Sequence, residues 1–325
     1  MTERHFIHIR ENFWNEFEAL LKTRKQEFRL RAAEFPQLLR SLTGDLNTAK
    51  AHGFDPAIVE RLNRLLLDGN QKLCAVRTFS FLAPVTFFAQ DFPRAVRSHW
   101  RSLGASMLLF YGLFFFTMML CIHNDNFVHR IIGAETAYQL EEMYDKESAH
   151  YLKPREVTGD ADMFAFYIYN NVSIAFRIFA GGLLAGVGSL LLLIFNAVFL
   201  GAATAYMMNI GLSETFFSFT SAHSAFELNG FVLSAQAGLV LGYSFFVTKG
   251  LSRIESLKKT GKAVSPIIAG AAILIFLAAI IEAFWSSRHD IPPFAHYASG
   301  AAAWIFLVFY LVLCGRGKKH SKEKN

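Results

Sequence analysis

Cysteine is scarce in this chain of 325 residues. The three present, Cys74, Cys121 and Cys314, lie far apart and form no CxxC, which excludes a disulfide framework and a cysteine-built zinc site. Phosphate-cradling GxxxxGK[ST], the GxSxG nucleophile turn and a dinucleotide fingerprint after a strand are all missing. Soluble catalysis therefore finds no foothold, and an ATPase, if one is involved, is a partner. The N-terminus, "MTERHFIHIRENFWNEFEALL", lacks the basic, apolar, small-residue order of a cleaved signal peptide. No nucleic-acid motif accompanies the net charge of +6. Much of that charge flanks apolar runs, where membrane topology explains it.

What is present is apolar surface. Hydrophobic residues make up 53% of the chain and aromatics 15%, with 34 Phe, and the mean hydropathy is +0.30. Few soluble domains read so apolar. The excess is segregated: residues 1–102 are charged and mixed, and long apolar blocks follow. The expected class is an all-α, polytopic membrane protein. It has an N-terminal helical region at 1–102, a transmembrane domain at 103–315 with an external loop at 123–160, and a basic tail at 316–325. In the first region Phe13, Trp14, Phe17, Leu20 and Leu21 are spaced for one helix face. Gly53 reads as a helix stop, Asp55 as an N-cap, Pro56 as a first-turn residue and Gly69 as lying near a helix end. The segment "FSFLAPVTFFAQDFPRAVRSHW" reads as interfacial, with Arg94, Arg97 and Arg101 at lipid headgroups.

Four stretches match the hydrocarbon thickness: 103–122, 181–207, 266–285 and 297–315. Basic residues dominate 1–102 (sixteen Lys/Arg against eleven acids) and 249–262 (five against one), whereas 123–160 has eight acids against four. The bias puts both termini and 249–262 in the cytoplasm and 123–160 outside. Four crossings satisfy that parity only if 214–247 enters and returns on one side. The expectation is a re-entrant hairpin bending at Asn229-Gly230, with 162–180 a second half-inserted helix bending at Gly181-Gly182. Shifted by fifty residues, "AFRIFAGGLLAGVGSLLLLIF" lies over "AFELNGFVLSAQAGLVLGYSF". Paired broken helices point to a transporter-like core. The alignment sets Arg177 opposite Glu227, and an ion pair between them is expected.

"NNVSIAFRIFAGGLLAGVGSLLLLIFNAVFLGA" followed by "AHSAFEL" and "AGLVLG" resembles the bacterial stage II sporulation protein M family. The resemblance takes in "FPQLLRSLTGDL" and "DFPRAVRSHW" and spans roughly residues 10–315. It carries the family's polar and glycine positions onto Asn170, Asn171, Gly181, Gly182, Asn196, Gly201, His223, Glu227 and Gly238. Where the family has Pro-His-Gly and Asn-Gly, this chain has Ala222-His223-Ser224 and Asn196-Ala197, so sharp kinks there are in doubt. The resemblance implies a membrane subunit of an envelope-remodelling machine whose enzymes are other proteins. It also implies gene neighbours of the MoxR-type ATPase and von Willebrand A-type classes.

His223 and Glu227, four apart, share a helix face inside an apolar run. Such groups are costly in lipid and mark sites or paired contacts. A hydrogen-bonded structural pair, with Arg177 or Asn171 as partner, is the first reading, proton or ion movement the second, and metal binding the least favoured. An intramembrane zinc protease is not expected, because it needs HExxH and a third ligand where only H-x-x-x-E is present. Asn170, Asn171 and Asn196 line a polar path or glue helices. Gly181, Gly182, Gly186, Gly188, Gly201, Gly230 and Gly238 are expected at close helix contacts or bends. His123, His129, His289 and His296 read as ordinary boundary residues. The expected function is a non-enzymatic scaffold component of an inner-membrane envelope complex. The alternative is a permease or channel with an Arg/His/Glu centre. Membrane lipids, a homodimer and MoxR-type complex partners are expected; a cofactor or nucleic acid is not.

Overall fold

The computed structural model describes residues 2–23, 34–75, 83–148, 151–152, 160–288 and 290–316. His289, the tail beyond Arg316, and parts of the 123–160 loop and of the interfacial segment lie outside the described residues. Every regular element among those described is helical, and the chain divides into two compact units, Met1–Ala83 and Pro84–Asn325.

The first unit has three helices: α1 (Glu3–Lys22), α2 (Phe35–Ala51) and α3 (Pro56–Ala75). Trp14, Phe17 and Leu20 of α1 pack with Phe35, Leu42, Leu62 and Leu65, so the spacing read from the sequence is the buried stripe. Gly53 takes φ +64°, which ends α2, and the Asp55 carboxylate accepts from the Ala57 N–H at 2.8 Å as an N-cap. Gly69 is not a stop. It lies inside α3 where Phe17 and Leu39 press closest. Asp45 is buried in this core, and its carboxylate accepts from Arg10 Nε at 2.9 Å and Trp14 Nε1 at 2.8 Å.

The second unit begins at Pro84, not at 103. A π-helical stretch, Phe87–Asp91, leads into α4 (Phe92–Ser98). Phe92 is buried against Gly270 and clusters with Leu233, Ile267 and Leu307. Gln236 Nε2 donates to the Val96 carbonyl at 2.8 Å. Arg94 and Arg97 bond protein carbonyls. Arg97 donates to the Leu311 and Cys314 carbonyls and Arg94 to Gly315, capping the end of α12 (Pro293–Leu313). These contacts group 84–102 with the apolar helices that follow.

Those helices are α5 (Trp100–Ile122), α6 (Asp125–Ile132), α7 (Ala134–Tyr144), α8 (Asp160–Ala180), α9 (Val187–Asn209), α10 (Ser213–Phe246), α11 (Arg253–Ile281) and α12. Five are long and apolar enough to cross a membrane: α5, α9, α10, α11 with its π-helical extension to Ser286, and α12. The bend expected at Asn229-Gly230 is absent, because α10 runs unbroken for 34 residues. Asn229 Nδ2 donates to the Ala225 carbonyl of its own helix at 2.8 Å, and Gly230 is where Ile275 of α11 comes close. A polar residue and a glycine mark close packing here, not a turn.

The break at Gly181-Gly182 is real: α8 passes into a 3₁₀ turn, Gly181–Leu183, and Gly186 takes φ +86° before α9 starts. Yet α8 is not a half-helix. Phe164 near its start packs on Phe276 and Phe284, and Gly182 just past its end meets the backbone of Gly238. Its 21 residues extend about 31 Å, parallel to α10. The glycines expected at contacts form one seam: Gly181 on Gly188, Gly182 on Gly238, Gly186 on Gly242, with Gly201 against the Phe114 carbonyl of α5. The small-residue stretches at 181–189 and 234–242 thus face each other within the chain.

Candidate functional site

α10 is buried along most of its length, so its polar residues face protein on nearly all sides. His223 and Glu227 point the same way from it, with Nε2 3.8 Å from the Glu227 carboxylate. The end of α11 supplies the rest. There the helix widens to a π-helical turn, Glu282–Ser286, a form that recurs at functional sites. The turn presents both its terminal residues to one imidazole. Ser286 Oγ lies 3.0 Å from His223 Nδ1, and a Glu282 carboxylate oxygen lies 3.9 Å from His223 Nε2. From α8, Asn171 Nδ2 donates to Glu282 at 3.3 Å, and Asn170 donates to Asn171 at 2.9 Å.

Two carboxylates therefore share one imidazole in a setting that excludes most water. Among the described residues no Lys or Arg forms an ion pair with either. An uncompensated carboxylate pair is costly to bury. What relieves it is a cavity of about 390 Å³ between α7, α8, α9 and α10. Exposed Gln139 and Asn170 mark its mouth, and His223, Glu227 and Glu282 line its far end. Glu227 keeps 18% of its side chain accessible, whereas the other two are buried. Tyr167 of α8 also lines this space. It is 4% exposed, and its hydroxyl has no hydrogen-bond partner among the described residues. Outside the spans, burial holds the Tyr144 phenol of α7 above its ordinary range, and the charges of Glu282 and Glu227 add to the effect.

The expected residues thus divide. His223, Glu227, Asn170 and Asn171 come together. Arg177 does not join them: it is on the exposed face of α8, and the ion pair expected from the fifty-residue alignment is not formed. The alignment fails structurally because one copy is broken at Gly181 and the other is a continuous helix. Asn196 donates to the Leu192 carbonyl of its own helix at 2.8 Å and lines no part of the cavity. His296, expected at the surface, is buried against Trp285. Glu282 was not singled out from the sequence. Its signal was available, as the one acid inside "PIIAGAAILIFLAAIIEAFW".

The model of the family described as stage II sporulation protein M matches residues 106–287, a range that holds every residue of this centre. A second model, described as a domain of unknown function (DUF8413), matches residues 4–75, the three helices of the first unit. No curated protein matches the chain, and no solved structure matches it.

Proposed function

Since the chain belongs to the stage II sporulation protein M family, we propose that it is a multi-pass, non-enzymatic protein of the bacterial inner membrane, a permease that moves a small cation through the His223–Glu227–Glu282 centre. One observation carries this reading: the cavity runs from the α7 surface to the two carboxylates. The opposite end is closed. About 16 Å further along α10 from Glu227, Gly238 is sealed against Gly182 and Ser189. A centre open to one side and shut from the other suits alternating access better than a continuous pore.

Counting α8 as a crossing beside the five candidate spans gives six, by α5, α8, α9, α10, α11 and α12, and a topology with both termini in the cytoplasm. They bring the basic stretches at 94–101 and 249–262 to one side and the acidic 123–160 segment to the other, as the charge rule favours. Arg177, near the inner end of α8, then snorkels to the cytoplasmic interface.

A scaffold reading is second, favoured by the separate helical unit at the N-terminus. That unit would dock an envelope partner or a MoxR-type ATPase complex, and the chain would work as a homodimer. The experiment that separates the two is flux in proteoliposomes. A permease conducts protons or metal cations down a gradient, and Glu227→Gln abolishes the flux while the protein stays folded. Absence of flux in the wild-type protein removes the first reading.

A further inference from the structure

We infer that His223, Glu227 and Glu282 form a binding site for a divalent first-row transition-metal ion, entered from the cavity under α7. The inference rests on the same cavity as the permease reading and adds the class of cation.

One ligand atom from each of the three residues lies within 4.8 Å of the others. The imidazole nitrogen is 3.8 Å from one carboxylate and 3.9 Å from the other. A metal at about 2.0–2.2 Å from such donors keeps them roughly 3.3–3.8 Å apart. The imidazole therefore needs to close by only a few tenths of an ångström, and the two carboxylates, within 4.8 Å of each other, by about an ångström at most, to surround an ion.

Charge selects the valence. A neutral imidazole and two carboxylates carry −2, and no Lys or Arg pairs with them among the described residues. With both carboxylates ionised, one divalent cation makes the site neutral, taking the place of two protons; a monovalent ion or a single proton leaves it charged in an apolar bundle. The imidazole selects the softer members, Zn²⁺, Fe²⁺, Co²⁺ or Ni²⁺, over Mg²⁺ and Ca²⁺.

The surroundings are those of a metal-ligand shell. Ser286 at His223 Nδ1 directs Nε2 to the carboxylates, and Asn171 orients Glu282. The Tyr167 hydroxyl, buried and without a hydrogen-bond partner among the described residues, borders the same space. It is a polar group with nothing to bond until a ligand or its water arrives. Three protein donors and an open fourth position hold an ion that can exchange.

The test uses the full chain, purified in detergent and stripped with a chelator. Co²⁺ is titrated while its visible d–d absorption is followed, and Zn²⁺ is then added as competitor. The expected result is one Co²⁺ per chain, displaced by Zn²⁺. Affinity should drop at least a hundredfold in Glu227→Gln and Glu282→Gln and tenfold to a hundredfold in Asn171→Ala. Size-exclusion profiles and thermal melts establish that each variant is folded. No stoichiometric Co²⁺ in the wild-type protein, or equal affinity in the folded Gln variants, overturns the inference. Proton flux that depends on Glu227, without Co²⁺ binding, sinks this inference and leaves the permease reading standing. Stoichiometric binding without any flux does the reverse.

Discussion

The two units bury carboxylates in opposite ways. In the first, Asp45 meets Arg10 and the Trp14 indole within 3 Å, and the Arg10 guanidinium also lies 4.6 Å over the Phe13 ring. Both carboxylate oxygens are bonded and the cation is at hand. In the second, Glu227 and Glu282 share one imidazole, and Glu282 alone takes an amide hydrogen bond, with open space beside them. A compensated buried charge holds a fold together. An uncompensated one at the end of a cavity is held for something that comes and goes. The units also cohere differently. The first packs aromatic rings, whereas the second brings backbones together at a glycine seam.

The contrast is broken most sharply at Asp45. Asp45→Ala leaves Arg10 and Trp14 without their acceptor and costs about 3 kcal/mol. Amide exchange along α1 and α2 should speed up roughly 150-fold, and an unchanged exchange pattern would remove Asp45 from its role. Next comes the seam. Gly238→Ala drives a methyl into Ser189 and the backbone carbonyls of Ile178 and Phe179, costing about 2 kcal/mol. The thermal melt in detergent should drop by several degrees, and a melt at the wild-type temperature would deny the close approach.

At the centre the sign reverses. In chelator-treated protein, Glu227→Gln removes one of two unpaired carboxylates and stabilises by about 1 kcal/mol, raising the melt about 2–4 °C. A fall comparable to that of Asp45→Ala would make Glu227 a structural latch. The smallest effect is at the surface. A hydrogen bond from Lys22 holds the Glu18 carboxyl below its ordinary range. Any stability this lends is present above the ordinary carboxylate range and is lost as pH falls through the lowered one. The pair is solvent-exposed and screened, so Lys22→Ala should leave the melt at neutral pH unmoved.

Much of this was legible in the sequence. Apolar run lengths gave four of the five candidate spans, Gly53 and Asp55 gave helix ends, and His223 with Glu227 gave two of the centre's three side chains. The glycines were marked as contacts, and they are. Three things were not legible, each for a physical reason. Asn229-Gly230 is compatible with a bend or with a tight helix crossing, and only the approach of Ile275 decides. The run around Glu282 is apolar on all faces, so periodicity cannot say which way its one acid points. The fifty-residue echo reflects shared small residues rather than shared geometry, which is why Arg177 was paired with Glu227 and is exposed instead.

The central claim is that this carboxylate pair is reachable from outside the bundle. Thr220 lines the cavity one turn from His223. With Cys74, Cys121 and Cys314 replaced by Ala, Thr220→Cys should react with a membrane-impermeant maleimide added on the side of the 123–160 segment, in folded protein. Reaction only after denaturation, or only from the side of residues 249–262, would contradict the account.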